Sequence, residues 1–205
     1  MQDFLSYVFE NLECQDPPRY TECVAPLEGY HGTCKKHADS ILASGKFIKG
    51  FGRLGDGVYF YEGESPDGAI EAARLTAIRK HYGDDQGGTE IVIKAKIHAS
   101  HLLDLESIDN YTFVQRIVRL LNEFRIRYRP LDTYIAHPHF AGYVTVGIAE
   151  RIDGWSRIDV IRTRFAFGGS PGEHEIGLVV FRPEIIIDPQ PVLKQPNDVL
   201  RQQEP

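Results

Sequence analysis

The sequence predicts an α+β fold, in which strands and helices share one core without strict alternation. Two long stretches carry apolar residues at helical spacing, and two others alternate apolar with polar residues as half-buried strands do. Because the helices do not follow each strand in turn, an α+β sandwich is favoured over a doubly wound parallel sheet.

The first predicted elements come before residue 50. Apolar side chains at helical spacing predict a helix over 3–12, and a strand ends within 30–33. A short helix over 35–44 is closed by Gly45 in a left-handed cap. The remaining predicted elements are a strand at 58–61, a helix from Pro66 to Tyr82, a strand at 89–97, a helix over about 109–126, and strands at 159–167, 176–181 and 185–187.

Length and charge bound the class of protein. The chain has 205 residues, which fits one domain, and 23 Lys and Arg against 29 Asp and Glu give a net charge of −6. This balance disfavours a dedicated nucleic-acid coat or a membrane-surface protein. The start of the chain has no basic segment followed by an apolar run, and its three cysteines match no disulfide or zinc pattern. We expect a cytoplasmic protein, or one delivered into a target cell's cytoplasm by a signal-independent route.

Two short motifs combine a glycine with a residue suited to binding. Tyr30-His31-Gly32-Thr33 sets a histidine beside a glycine, so a ligand can approach the backbone closely while the ring forms a hydrogen bond. Gly55-Asp56-Gly57-Val58-Tyr59-Phe60 is a glycine-rich turn that leads into an aromatic strand, where a tyrosine can stack on a planar cationic ring. Each motif taken alone also fits an ordinary turn or a packed aromatic core.

A third motif places carboxylates at the start of an apolar strand. Glu173-His174-Glu175 leads directly into this strand, and alternation sets Glu175 on the face opposite Ile176. The preceding segment, Gly168-Gly169-Ser170-Pro171-Gly172, is typical of a mobile loop that becomes ordered on a substrate.

In this order, the three motifs resemble the ADP-ribosyltransferase superfamily in its histidine–tyrosine–glutamate branch, the diphtheria-type toxins and poly(ADP-ribose) polymerases. The resemblance covers about residues 28–188 and implies an ADP-ribosyltransferase-like split β-sandwich with flanking helices. Residues 1–27 then form an N-terminal helical arm and 189–205 a C-terminal tail.

The resemblance implies a role for each matching residue. His31 bonds the adenosine ribose, and the Gly32 backbone holds the nicotinamide carboxamide. Tyr59 stacks on the nicotinamide, and Glu175 binds a hydroxyl of the nicotinamide ribose. Further residues expected at the cofactor site are Tyr30, Thr33, Gly57, Phe60 and Ala69, and those expected in the acceptor loop are Gly169, Ser170 and Glu173.

Two positions depart from the family pattern. The second stacking tyrosine, expected just past Ala69, has no counterpart, because Ile70 and Glu71 stand there. The serine that bonds the carboxamide in the polymerases is replaced by Gly68.

The implied function is a mono-ADP-ribosyltransferase that uses NAD as co-substrate and needs no metal. A compact transferase of this kind most resembles a bacterial toxin or effector, with a neutralising antitoxin or immunity protein as partner and no membrane. The acceptor is protein or nucleic acid: the acidic total favours protein, whereas a basic stripe favours RNA or DNA. That stripe consists of Arg116, Arg119, Arg125, Arg127 and Arg129, and Arg162 and Arg164, which share one face of a later strand, keep the nucleic-acid option open. The alternatives are an NAD glycohydrolase using the same site and an inactive module that binds ADP-ribose or NAD.

Overall fold

The computed structural model of the protein describes residues 7, 10–12, 21, 23–52, 55–63, 66–81, 90–128, 158–166 and 174–192. The strands in this part of the chain are β1 Leu27–Cys34, β2 Gly50–Gly52, β3 Gly55–Glu62, β4 Glu90–Ile97, β5 Leu102–Asp104, β6 Val160–Ala166, β7 His174–Val180 and β8 Ile186–Pro191. The helices are α1 Lys35–Ser44, α2 Pro66–His81 and α3 Ile108–Tyr128, and one 3₁₀ turn covers Pro183–Ile185.

Seven strands form one connected sheet in the order β5-β6-β7-β3-β1-β4-β8, and β2 pairs with the start of β3. Neighbouring strands are antiparallel except β5 and β6, which are parallel. The α+β prediction is confirmed. The split β-sandwich of the ADP-ribosyltransferases stays a prediction.

Most element predictions on described residues are confirmed to within a few residues, whereas the predicted helix over 3–12 lies mostly outside the described residues. Helix α1 ends at Gly45, whose φ of 67° is left-handed and whose N–H donates to the Ile41 carbonyl at 2.7 Å. Strands β2 and β5 were not predicted, because three residues are too few to show alternation. Strand β8 runs to Pro191 and so includes the first residues of the predicted tail, while the division into domain, arm and tail stays a prediction.

Helices cover both faces of the sheet. We call the face that carries Tyr30, Tyr59 and Tyr61 the tyrosine face, and the opposite face, which carries His31 and Phe60, the histidine face. Helix α2 packs its alanines on the tyrosine face, in a cluster formed by Tyr30, Ala69, Ala73 and Val92. Helix α1 packs on the histidine face, in the main core that includes Ala38, Ile41, Phe60, Ile93 and Leu178. Strand β7 places Leu178 and Val180 in the main core and Val179 in a cluster on the tyrosine face, so its second half is apolar on both faces.

The sheet is split between β1 and β3. Strand β1 pairs with β4 through eight residue pairs, but its register with β3 consists of Tyr30 opposite Tyr61 alone. Beyond that pair, toward Cys34, no further residue pair joins the two strands. We call this loss of pairing the split; it leaves the backbone edge of β1 facing a gap in the ladder.

Candidate active site

The backbone of Gly32 points into the split. In β4, the Val92 carbonyl accepts from Val192 N–H at 2.9 Å, so the backbone groups of Val92 point away from β1, toward β8. Gly32 lies opposite Val92, and alternation along an antiparallel pair therefore directs the Gly32 N–H and C=O away from β4, toward β3. No residue of β3 is paired with Gly32.

The His31 side chain bridges the split. Its Nδ1 lies 2.8 Å from the backbone carbonyl oxygen of Tyr59. A carbonyl oxygen can only accept, so Nδ1 carries the proton and the lone pair of the neutral ring is on Nε2. A regular ladder would set Gly32 opposite Tyr59, whereas here the imidazole reaches that carbonyl in its place.

Two aromatic rings fix the orientation of the His31 ring. Its centroid lies 5.6 Å from that of Phe47 at an interplanar angle of 87°, and 5.6 Å from that of Phe60 at 53°. Both are favourable edge or tilted contacts. His31 is half-buried on the histidine face, while the Tyr59 ring lies on the tyrosine face. The structure thus joins these two predicted site residues through the Tyr59 backbone, at the split, rather than ring to ring.

Two half-buried tyrosines, Tyr59 and Tyr61, lie side by side on the tyrosine face. Tyr61 packs beneath α2, and its hydroxyl lies 2.8 Å from Thr76 Oγ1 on that helix. Tyr59 packs on the other side, against a cluster formed by Leu103, Leu105, Ile158, Ile161 and Val179. Positions i and i+2 of a strand are roughly 6.6–6.8 Å apart, which is the thickness of one planar ring with van der Waals contact on each side. Tyr61 was missed in the sequence because the second aromatic was sought on α2, although the spacing Tyr59-x-Tyr61 was visible.

The two motif glycines are required by close packing. A Cβ atom at Gly32 would overlap the backbone carbonyl oxygen of Ala73 in α2. At Gly57, a Cβ would lie 2.5 Å from Val179 Cγ1 and 3.1 Å from the Val180 carbonyl oxygen. Gly32 therefore lets helix α2 rest directly on β1, beside the split.

Four residues expected at the cofactor site are core residues. Tyr30, Thr33, Phe60 and Ala69 are all buried, and the Tyr30 hydroxyl donates to Glu28 Oε1 at 2.8 Å. Their observed role is to pack β1, β3 and α2 together. The cofactor contacts expected of them stay a prediction.

Glu175 belongs to β7 close to the aromatic pair. Its backbone is opposite Phe165 on β6, and it precedes by two residues Gly177, which lies opposite Tyr61 on β3. Its side chain lies outside the described residues, as do Gly169, Ser170 and Glu173 of the acceptor loop. The predicted roles of these four residues stay predictions.

The two arginines of β6 that could extend the basic stripe are paired with carboxylates. Arg162 Nε lies 2.6 Å from Glu62 Oε2, and its Nη1 lies 3.1 Å from Asp104 Oδ2. Arg164 Nε lies 2.6 Å from Glu106 Oε2. These two arginines are therefore ion-paired within the protein, which weakens the case for a surface that binds phosphates. Arg116 and Arg119 are exposed on α3, and the side chains of Arg125, Arg127 and Arg129 lie outside the described residues.

Comparisons with known proteins give little further information. The chain matches no protein-family model and no curated protein. Among solved structures it is similar to a chain of the M. tuberculosis MbcT–MbcA toxin–antitoxin complex, at 14% identity and a TM-score of 0.44, over 98% of this chain and 97% of that one. A TM-score this low does not establish a common fold, and we draw no function from it.

Membrane-spanning helices and clusters of metal ligands are both absent from the described part of the chain. None of its helices is long and apolar enough to cross a membrane. Within the same residues, no three His, Cys, Asp or Glu side chains are grouped so that they could hold a metal ion.

Proposed function

We propose that the protein cleaves NAD at the bond between nicotinamide and ribose and transfers the ADP-ribose to a macromolecular acceptor. The observation that supports this most is the split, where the His31 ring reaches the Tyr59 carbonyl and the Gly32 backbone points toward the gap. The first two motifs that resemble the histidine–tyrosine–glutamate branch of the ADP-ribosyltransferases meet at this point, and the third belongs to β7, the other neighbour of β3.

The Gly32 backbone suits a carboxamide. A primary amide has two N–H donors and one carbonyl acceptor, and a residue at an open strand edge offers one N–H and one C=O on the same side. Gly32 is such a residue, and the nicotinamide carboxamide would pair with it as a neighbouring strand would. The pyridinium ring would then lie over the tyrosine face, beside Tyr59 and Tyr61, where aromatic faces attract its positive charge.

His31 supplies an acceptor for a sugar hydroxyl. Because Nδ1 donates to Tyr59, the neutral ring carries its lone pair on Nε2. A ribose hydroxyl would donate to this nitrogen. The aromatic contacts to Phe47 and Phe60 hold the ring in place before the ligand arrives, which lowers the entropic cost of binding.

In the chemical step, the bond between ribose C1′ and the pyridinium nitrogen breaks. The electron pair of that bond leaves with nicotinamide, which becomes neutral, and positive charge develops on the ribose ring. The Glu175 carboxylate would stabilise this charge, which is larger in the transition state than in NAD. A nucleophile of the acceptor then bonds to C1′ and loses its proton to Glu175 or to water.

A protein acceptor is favoured over nucleic acid. Arg162 and Arg164 are each paired with a carboxylate, so they offer less positive charge to a polyanion than unpaired arginines would. The net charge of −6 disfavours a polyanion as well. We further propose that the protein acts in the cytoplasm as a toxin or effector and has a neutralising partner protein, because unrestrained NAD consumption harms the cell that makes it.

Transfer of adenine-labelled NAD into a cell lysate tests the proposal. Wild type is compared with Glu175→Ala and with Glu184→Gln, a matched control at a carboxylate that is 63% exposed on the 3₁₀ turn. Label that enters protein with wild type and the control but not with Glu175→Ala supports transfer to protein. Label released by nuclease indicates a nucleic-acid acceptor.

Two outcomes would replace the proposal. NAD that disappears while no macromolecule is labelled indicates a glycohydrolase, with water as the acceptor. Bound but uncleaved NAD, in a wild-type protein shown to be folded, indicates a binding module.

A further inference from the structure

A guanidinium group spans β7 on the histidine face. Arg162 on β6 lies opposite Leu178 of β7, and Glu62 on β3 lies opposite Ile176 of the same strand. Since β7 lies between β6 and β3, the bond of 2.6 Å from Arg162 to Glu62 crosses β7 between these two apolar residues. The second bond of Arg162, 3.1 Å to Asp104, continues to β5. We call these three charged residues the brace; it links β3, β6 and β5 and crosses β7.

The brace is partly withdrawn from water. The exposed fractions of the side chains are 28% for Arg162, 20% for Glu62 and 22% for Asp104. Burial acts to lower the pKa of Arg162, but its bonds to the two carboxylates outweigh burial and raise the pKa above its ordinary value. Burial and then the charge of Glu62 raise the pKa of the neighbouring Cys23 thiol. A partly desolvated guanidinium that bonds two carboxylates at once holds its partners in a narrower geometry than a flexible surface pair does.

The Glu62 end of the brace lies next to two segments of the candidate site, one on β3 and one on β7. Glu62 directly follows Tyr61 on β3, and Ile176, opposite Glu62, directly follows Glu175 on β7. The strand segment that carries the tyrosine pair is thereby tied across β7 at the residue next to Glu175. Neither Arg162 nor Glu62 lies on the tyrosine face, so the brace acts from the opposite side of the sheet.

We propose that Arg162 is a positioning residue, which through Glu62 fixes Glu175 relative to Tyr59 and Tyr61. The inference rests on the proposed function. Small displacements of a catalytic group lower the rate of the chemical step far more than they lower substrate binding, and a shift of about 1 Å can cost roughly 100-fold. Loss of the brace therefore lowers kcat and leaves affinity for the substrate nearly intact.

The chain provides a matched control on the same strand. Arg164 lies two residues after Arg162 and has an equally short bond of 2.6 Å, to Glu106. Arg164 is 61% exposed, however, and Glu106 follows β5, so this pair does not cross β7. Replacing Arg164 removes one charge and one ion pair from β6 without releasing β3 from β7.

The test measures kcat and KM for nicotinamide release from NAD, the Kd for ADP-ribose, and the Tm of each variant. Arg162→Met is expected to lower kcat by about 10- to 100-fold, while KM and the Kd stay within about twofold of wild type. Arg162→Lys keeps the positive charge but not the planar set of guanidinium N–H donors, and it recovers part of the lost kcat. Arg164→Met stays within about twofold of wild type in every parameter.

Several results would overturn the proposal. The brace has no positioning role if Arg162→Met and Arg164→Met lose kcat equally, if KM and the Kd rise as much as kcat falls, or if the loss equals the unfolded fraction at the assay temperature. Should Arg162→Met not fold, Arg162→Lys and Glu62→Gln are judged by the same criteria. If the wild type is active and Arg162→Met is equally active, only the proposed role of the brace is refuted. If a folded wild type does not cleave NAD, the proposed function and the role of the brace are both refuted.

Discussion

The imidazole Nδ1 of His31 donates a hydrogen bond of 2.8 Å to the backbone carbonyl of Tyr59, across the point where the pairing of β1 and β3 ends. This bond places a side chain where a regular sheet would have a backbone N–H. It keeps the two strands at a fixed distance without closing the gap between them. One nitrogen of the ring thus serves the fold, and we assign the other nitrogen to the proposed ribose contact.

Two replacements of His31 separate these roles. An Asn amide occupies the place of Nδ1 and can still donate to Tyr59, whereas a Gln amide occupies the place of Nε2. We expect His31→Asn to keep the stability of wild type but to weaken NAD binding about tenfold, through the lost ribose contact. His31→Gln loses about 1 kcal/mol of unfolding free energy. Urea denaturation and calorimetric titration measure the two effects. Equal loss of stability in both variants would contradict the division of roles.

Replacement of Tyr59 tests the aromatic face. Tyr59→Phe keeps the ring and is expected to bind NAD as wild type does. Tyr59→Leu is expected to weaken NAD binding about tenfold, since stacking and cation–π attraction are lost together. Binding of ADP-ribose, which lacks the pyridinium ring, stays unchanged in both variants. Tyr111→Leu, at a tyrosine that is 53% exposed on α3, is the control. A parallel loss of ADP-ribose affinity in Tyr59→Leu would show a packing defect instead.

A methyl group at Gly32 is expected to disrupt the contact between α2 and β1. Its Cβ would overlap the Ala73 carbonyl oxygen, a backbone atom within a helix that cannot turn aside. Gly32→Ala should therefore lose at least about 3 kcal/mol of unfolding free energy or fail to fold. Gly50→Ala, whose Cβ would have no neighbour within 4 Å, stays within about 0.5 kcal/mol of wild type. Urea denaturation compares the two, and similar losses in both would contradict the observed packing.

The buried Tyr30 hydroxyl makes the unfolding free energy depend on pH in the alkaline range. Burial and the hydrogen bond to Glu28 raise the pKa of Tyr30 from 10.0 to about 12. The folded state therefore binds this proton more tightly than the unfolded state does. The contribution is complete below pH 10 and is lost as the pH rises from about 10 to about 12. Tyr30→Phe should show a shallower decline of unfolding free energy over this interval, and an unchanged slope would contradict the account.

The sequence alone was enough to predict the long helices and strands and the local chemistry of the motifs. The spacing of Ala69, Ala73 and Ala77 predicts helix α2, and these residues are buried as the pattern requires. Gly45 closes α1 for a local steric reason that a single residue type reveals. Features of this kind depend on neighbours within one or two turns of chain.

Long-range relationships could not be predicted in this way. The split depends on which residues of β1 and β3 are in register, and no local pattern encodes a register between strands so far apart in the chain. The brace joins residues 100 and 58 positions apart, and in the sequence Arg162 was indistinguishable from a surface arginine. Tyr61 was overlooked because its partner helix, which supplies Thr76, brings it to the site only in three dimensions.

The most direct test of the account is release of nicotinamide from NAD by purified wild type and Glu175→Gln. The isosteric amide keeps the shape of the side chain but removes the negative charge that would stabilise the positive ribose. We expect wild type to release nicotinamide, Glu175→Gln to do so at least about 100-fold more slowly, and both to bind ADP-ribose equally. A Glu175→Gln variant as fast as wild type, or a folded wild type that leaves NAD intact, would contradict the central claim.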